Sequence, residues 1–146
     1  MAQTLYTLDI LRLAADLPHA GPLAAPDATA ERRSAICGSR VAVDVALGTD
    51  GRVADLGLVV HACALGQASA ALLGAHAIGR DAAQLTAVRD ALTAWLAGEG
   101  EMPEWPGMAV LAPALPHTAR HPAIRLAFEA AADAVATAAR GRRTAA

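Results

Sequence analysis

The sequence reads RVAVDVALGTDGRVADLGLVV from Arg40 to Val60, and this stretch decides the fold. Large apolar residues take alternate positions over Arg40–Leu47, which is the pattern of a strand buried on one face. Gly48–Gly51 predicts a turn, because glycine and aspartate favour tight turns. A second strand is expected over Arg52–Val60, so the stretch predicts an antiparallel hairpin.

The two cysteines of the chain flank this hairpin. If the strands pair about the centre of the turn, Arg40 lies near Val59, and Cys37 and Cys63 become neighbours just beyond the paired ends. Cys63 also precedes a predicted helix, whose unpaired backbone N–H groups would favour a thiolate and lower the thiol pKa. Two cysteines alone are a weak metal signal, and small buried hydrophobic residues are an equal alternative.

Helical patterns surround the hairpin on both sides. We predict a single α+β domain over residues 1–146, with a small antiparallel sheet of about three strands, helices packed on one face, an N-terminal helix and a long C-terminal helix. Residues 140–146 should form a frayed, solvated tail. The other expected elements are a helix in Leu5–Leu17, a loop over Pro18–Asp27, an edge strand in Thr29–Ile36, a helix from Ala64 towards Gly79, a helix from the N-cap Asp81 to Gly98, a mostly irregular stretch over Gly100–Pro116 and a last helix opened by His121-Pro122.

The composition of the chain argues against several classes of protein. The chain has 146 residues, of which 55% are hydrophobic and only 3% aromatic, so the core must be built from Leu, Val, Ile and Ala. A net charge of −2 without a basic face argues against a nucleic-acid binder. No apolar run reaches the ~18 residues of a membrane span, and the N-terminus lacks the basic region of a secretory signal. We therefore expect a cytoplasmic protein, where a structural disulfide is not expected.

Two motifs resemble those of the IscU/NifU-like family of iron–sulfur cluster assembly scaffolds. Cys37-Gly38-Ser39 resembles the Cys-Gly-Asp motif that opens a strand in that family. Ala62-Cys63-Ala64-Leu65, followed by an Ala-Ser-Ala helix, resembles its Gly-Cys-Ala-Ile-Ser motif. The strand–turn–strand between them has the family's length, and the resemblance extends over roughly Leu5–Val135. The chain is thus identified as a divergent member of the family, similar to the N-terminal domain of NifU and to SufU.

The chain departs from the family pattern at two ligand positions. Ser39 stands where family members carry an acidic residue, and serine is a poor metal ligand. The family's third cysteine, near the start of the last long helix, would match Leu126 or Ala127. The sequence holds no third cysteine elsewhere, so two thiols leave two positions of a four-ligand site to be filled.

The resemblance implies a scaffold or sulfur acceptor, not an enzyme, that works with a cysteine desulfurase. Cys37 and Cys63 would bind iron, an iron–sulfur cluster or zinc. Histidines are the obvious substitutes for the missing ligands: His61, provided that the strand continues to Cys63 so that both side chains share a face, and His121 or His117 at the start of the last helix. Cysteines of a second subunit in a homodimer, or a small thiol, are the other sources.

Two further hypotheses stay open at this stage. Loss of the acidic residue and of the third cysteine would also suit a degenerate paralogue that acts as a metal-free protein-interaction module. A two-cysteine peroxidase with Cys63 as nucleophile is less favoured, because no nearby base or arginine can be identified from the motif.

Overall fold

The computed structural model describes residues 5–36 and 38–145, with side chains up to Arg142. The predicted α+β class is confirmed: a three-stranded antiparallel sheet in the order β1-β2-β3 is combined with four α-helices in the described part of the chain. No helix in that part is long and apolar enough to cross a membrane. The elements are α1 (Leu8–Ala15), β1 (Ala28–Arg33), β2 (Arg40–Leu47), β3 (Val53–His61), α2 (Ala64–His76), α3 (Ala82–Leu96) and α4 (His121–Ala145), with 3-10 segments at Met108–Ala114 and Thr118–Arg120.

The central strand, β2, is more buried than its alternating pattern suggests. Val41, Val43 and Val45 are completely buried on the face that meets the helices, as predicted. Asp44 on the opposite face is also buried, because its carboxylate accepts bonds from the Leu23 backbone N–H at 3.0 Å and the Thr29 hydroxyl at 2.6 Å. The N-terminal segment is thereby tied to the outer face of the sheet, which satisfies a carboxylate that would be costly to bury alone.

The predicted hairpin register is wrong by two residues. Arg40 pairs with His61 instead of Val59. The turn at Gly48–Gly51 forms as expected, with the Gly51 N–H donating to the Gly48 carbonyl at 3.0 Å. Beyond it, Ala46 pairs with Asp55 while Leu47 pairs with Val53, so β3 carries one extra residue in a bulge. The hairpin also closes at Leu47 and Val53, one residue later on β3 than expected, so the bulge and this longer closure each shift the far end of β3 by one residue along β2.

The helices follow their sequence signals closely. Asp81 caps α3 in a capping box, in which its carboxylate accepts from the Gln84 N–H and the Gln84 side chain accepts from the Asp81 N–H. Gly98, at a φ of 78°, ends the same helix in the left-handed conformation that glycine favours. The long helix α4 packs against β1 and β2 and also contacts α2 and α3, so it forms the centre of the core. Its apolar stripe is fully or almost fully buried at Ile124, Leu126, Phe128, Ala131 and Val135.

The C-terminal end of α4 differs from the expected frayed tail. The helix continues to Ala145, and the Arg142 guanidinium donates to the carbonyls of Leu47, at 2.6 Å, and Gly48. Asp27 lies 3.8 Å from the same guanidinium. These carbonyls belong to the end of β2 and the turn, so a long side chain anchors the helix end where the sequence suggested only solvated charge.

Candidate functional site

The candidate site lies at the end of the sheet where β2 begins and β3 ends. Because Arg40 pairs with His61, the β1–β2 loop (residues 34–39) and the junction between β3 and α2 meet at this end. The Ser34 N–H donates to the Ser39 carbonyl at 2.8 Å, which continues the β1–β2 pairing into the loop. Cys37 belongs to this loop in the sequence and lies outside the described residues, so its proximity to Cys63 stays a prediction.

Cys63 is the N-cap residue of α2. It has an extended backbone (φ −64°, ψ 169°) and no side chain caps the helix, while its own carbonyl accepts the first helical bond from the Gln67 N–H at 2.9 Å. The residue is partly exposed and its thiol is free. A partly accessible thiol next to uncapped backbone N–H groups can meet an incoming ion or sulfur donor.

The start of α4 packs directly against the start of α2. A Cβ on Gly66 would lie 3.3 Å from the Ala123 carbonyl oxygen, so the two helices approach closely at this point. One turn further on, the Ser69 hydroxyl donates to the Ile124 carbonyl at 2.6 Å. The helix α2, whose N-cap is Cys63, is therefore held against α4, the helix in which family members carry their third cysteine. Leu126 and Ala127, the residues matched to that cysteine, are buried in the core and offer no ligand atom.

His121 is the first residue of α4 and is buried. Its Nε2 lies 3.0 Å from the carbonyl oxygen of Ala114. Since a carbonyl can only accept, Nε2 carries the hydrogen in this contact, and in the neutral ring Nδ1 is then the nitrogen with the free lone pair. A ring fixed in this way by a backbone carbonyl is the usual arrangement of a metal-ligating histidine.

His61 and His117 are placed less favourably. His61 is exposed and is the last residue of β3, whereas Cys63 already belongs to the cap of α2. The strand therefore breaks at Ala62, and the condition under which His61 and Cys63 share one face is not met. His117 is exposed and precedes the short segment Thr118–Arg120.

Within residues 5–36 and 38–145, no three His, Cys, Asp or Glu side chains are grouped so as to hold a metal ion. Cys63, His61 and His121 consequently do not form a site among themselves. A cargo of iron, zinc or a cluster fits this end of the sheet only if Cys37 or groups from outside the chain complete the ligand set.

The β1–β2 loop contains a buried hydroxyl that the sequence analysis missed. Ser34 is buried, and its Oγ has no hydrogen-bond partner among the described residues. Ser39, at the family's acidic position, is also buried. A lone serine before a turn gives no sequence signal of burial, because the packing of the loop alone determines it.

Comparison with known proteins agrees with this architecture. No protein-family model and no curated protein matches the chain. Its structure is similar to that of a nitrogen-fixing NifU-like protein (N-terminal) from Brucella abortus, with a TM-score of 0.86 and 38% sequence identity, covering 91% of this chain and 93% of that chain.

A second similar structure shows the same fold at lower identity. It is a putative iron–sulfur cluster assembly scaffold protein for the SUF system from Fervidobacterium islandicum AW-1, with a TM-score of 0.82 and 16% identity, covering 90% of this chain and 96% of that chain. The identity and coverage shared with the Brucella protein, together with the cysteine motif at the cap of α2, establish that this chain belongs to the IscU/NifU-like family, among the NifU N-terminal domains.

Proposed function

We propose that this protein is a scaffold or sulfur acceptor in iron–sulfur cluster assembly, with Cys37 and Cys63 as its thiolate ligands. The observation that carries the proposal is the pairing of Arg40 with His61, because it brings the two cysteine-bearing segments to the same end of the sheet. Membership of the NifU-like family supports the role, and a relative in fold is named as a putative cluster assembly scaffold.

In this proposal the chain receives and holds a cargo and catalyses no reaction of its own. Sulfur would come from a cysteine desulfurase: a thiolate of this chain attacks the terminal sulfur of the donor's persulfide, the new S–S bond forms, and the donor leaves as a thiolate. Cytoplasmic location, where thiols stay reduced, suits this exchange.

The ligand set needs more than two thiolates. We propose His121 as a third ligand through Nδ1, since the Ala114 carbonyl already fixes its ring. His61 is retained as a weaker candidate, because it is exposed and close to Cys63 in sequence, but β3 ends at His61 and does not continue to Cys63. A small thiol or a partner protein would supply the remaining position.

Anaerobic reconstitution with ferrous iron and sulfide, followed by visible absorption and metal analysis, tests the proposal. The unmodified protein should become coloured and retain iron, whereas Cys37→Ser and Cys63→Ser should each lose the cargo. His121→Ala removes a direct ligand and should weaken retention at least as much as loss of an outer-shell partner does, about 10- to 100-fold. His61→Ala serves as the comparison and should retain more iron than His121→Ala. A colourless unmodified protein, with neither iron nor zinc bound, would contradict the proposal.

A metal-free interaction module is the second candidate. It is favoured by the buried apolar residues Leu126 and Ala127 at the third-cysteine position, which offer no ligand atom. Elemental analysis of freshly purified protein, combined with a desulfurase binding assay, separates the two. Absence of metal together with a stable complex that survives Cys37→Ser and Cys63→Ser would select the module.

A further inference from the structure

The two outer edges of the sheet differ in whether other described segments of the chain cover them. The outer edge of β3 is covered: the Leu58 N–H donates to the His19 carbonyl at 2.9 Å, and the Gly21 N–H donates to the Leu58 carbonyl at 2.8 Å. The outer edge of β1 has no such cover, since β1 pairs only with β2 and no described residue continues the sheet beyond it. The open edge of β1 is thus available to a partner strand.

The pairing pattern shows which backbone groups face outward. The Ser34 N–H donates to the Ser39 carbonyl in register with the β1–β2 ladder, so residues of the same parity direct their backbone groups to β2. The alternate residues, Thr29, Glu31 and Arg33, therefore direct their N–H and C=O groups to the open edge. All three are exposed to solvent.

The charges beside this edge are arranged in two sets. Glu31 and Arg33 form an exposed ion pair at 2.6 Å, on the sheet face away from the helices. Arg32 lies on the other face, where it is held by Asp133 of α4 at 2.6 Å. Arg32 is therefore drawn back onto the helix and leaves the edge itself accessible.

We propose that the β1 edge pairs antiparallel with β1 of a second copy of this chain, with the two-fold axis at Arg32. In this register Glu31 faces Arg33 of the partner subunit, and Arg33 faces Glu31 of the partner subunit. Four charges then alternate in sign around the axis, and directly opposed pairs of opposite charge stabilise a sheet. Arg32 meets Arg32 of the partner subunit on the axis, on the other face of the sheet, where Asp133 of the same chain holds each guanidinium. A register centred on Glu31 would instead oppose two carboxylates on the exposed face. The charge pattern of β1 is thus complementary to that of a second copy in this register.

This pairing has a consequence for the candidate site. Because the strands run in opposite directions, the β1–β2 loops (residues 34–39) of the two copies leave the paired strands on opposite sides of the two-fold axis. The pairing therefore does not place the two loops side by side. Dimerisation and iron retention are therefore independent, and either can fail without the other.

Light scattering coupled to size-exclusion chromatography at low salt tests the proposal. The mass should rise with protein concentration from 14.8 kDa towards twice that value. Glu31→Arg and Arg33→Glu should each weaken association at least tenfold, because each opposes like charges, and the double exchange should restore it. Glu101→Arg, the same charge change on an exposed loop residue, is the matched control and should not alter the mass.

Amide hydrogen exchange identifies the register. The amides of Ala30 and Arg32 should be protected at every concentration, since they bond to β2. The amides of Glu31 and Arg33 should gain protection only as the dimer forms, while Thr29 should remain unprotected. A monomer at all concentrations, or a dimer that ignores the charge exchange and leaves Glu31 and Arg33 unprotected, would overturn the proposal.

Discussion

The hydroxyl of Ser69 on α2 donates a 2.6 Å hydrogen bond to the main-chain carbonyl of Ile124 on α4. Both residues are completely buried. Their bond joins the helix capped by Cys63 to the helix that begins at His121, although the two helices are far apart in the sequence. The relative position of Cys63 and His121 therefore depends on this contact and on the close approach at Gly66.

Removal of the Ser69 hydroxyl should destabilise the fold. We expect Ser69→Ala to lower the free energy of unfolding by about 1–2 kcal/mol, because the Ile124 carbonyl loses a buried partner. Urea unfolding measures the change. Thr93→Ala is the control: its hydroxyl bonds the Arg89 carbonyl on an exposed helix surface, and the loss should stay within about 0.5 kcal/mol. Equal losses for the two variants would contradict the role of the Ser69 bond.

Substitution of Gly66 by alanine should be unfavourable despite alanine's better helix propensity. The new Cβ would lie 2.7 Å from the Ala62 Cβ and 3.3 Å from the Ala123 carbonyl oxygen, so the junction between β3 and α2 must shift and the start of α4 must yield slightly. We expect a loss of about 1–3 kcal/mol in thermal or urea unfolding.

Gly141→Ala provides the matched control within α4. A Cβ there meets nothing within 4 Å, so the variant should gain up to about 1 kcal/mol from helix propensity alone. If both alanine variants were stabilising, the tight contact at Gly66 would be refuted.

Loss of the Arg142 guanidinium should loosen the distal end of the hairpin. Arg142→Ala removes donors to the Leu47 and Gly48 carbonyls, and we expect a cost of about 0.5–1.5 kcal/mol with faster amide exchange around the turn. Arg89→Ala is the comparison, since within the described part of the chain the polar partner of that guanidinium is its neighbour Asp90. Unchanged exchange at the turn would show that Arg142 does not anchor it.

The ion pair of Arg32 with Asp133 should couple β1 to α4 weakly. Both partners are partly exposed, so a double-mutant cycle with alanine should give about 0.2–1 kcal/mol, decreasing as salt is added. The hydrogen bond that Arg32 donates to the Asp133 carboxylate raises the pKa of Arg32 above its ordinary value. Arg32 is charged throughout the neutral range, and its contribution is lost in strong alkali, as pH rises through the raised pKa. A coupling insensitive to salt would contradict this description.

Local sequence signals predicted most helices, strands and turns, but not the register in which β2 and β3 pair. Asp81, Gly98 and the Gly48–Gly51 turn were correctly placed from sequence, because caps and turns depend on a few adjacent residues. The hairpin register was missed because neither the extra residue of β3 opposite Ala46 and Leu47 nor the later closure at Val53 leaves a mark in the apolar alternation.

The sequence by itself determined the class of fold, the position of most strands and helices, and the two cysteine motifs that indicate the family. These features depend on backbone preferences and on side-chain periodicity over a few residues. Only the tertiary structure decided the pairing of Arg40 with His61, the burial of Asp44 and the fixed ring of His121. Each depends on groups from distant segments meeting in a dense core, where unpaired polar atoms are costly and the packing of the whole chain selects their partners.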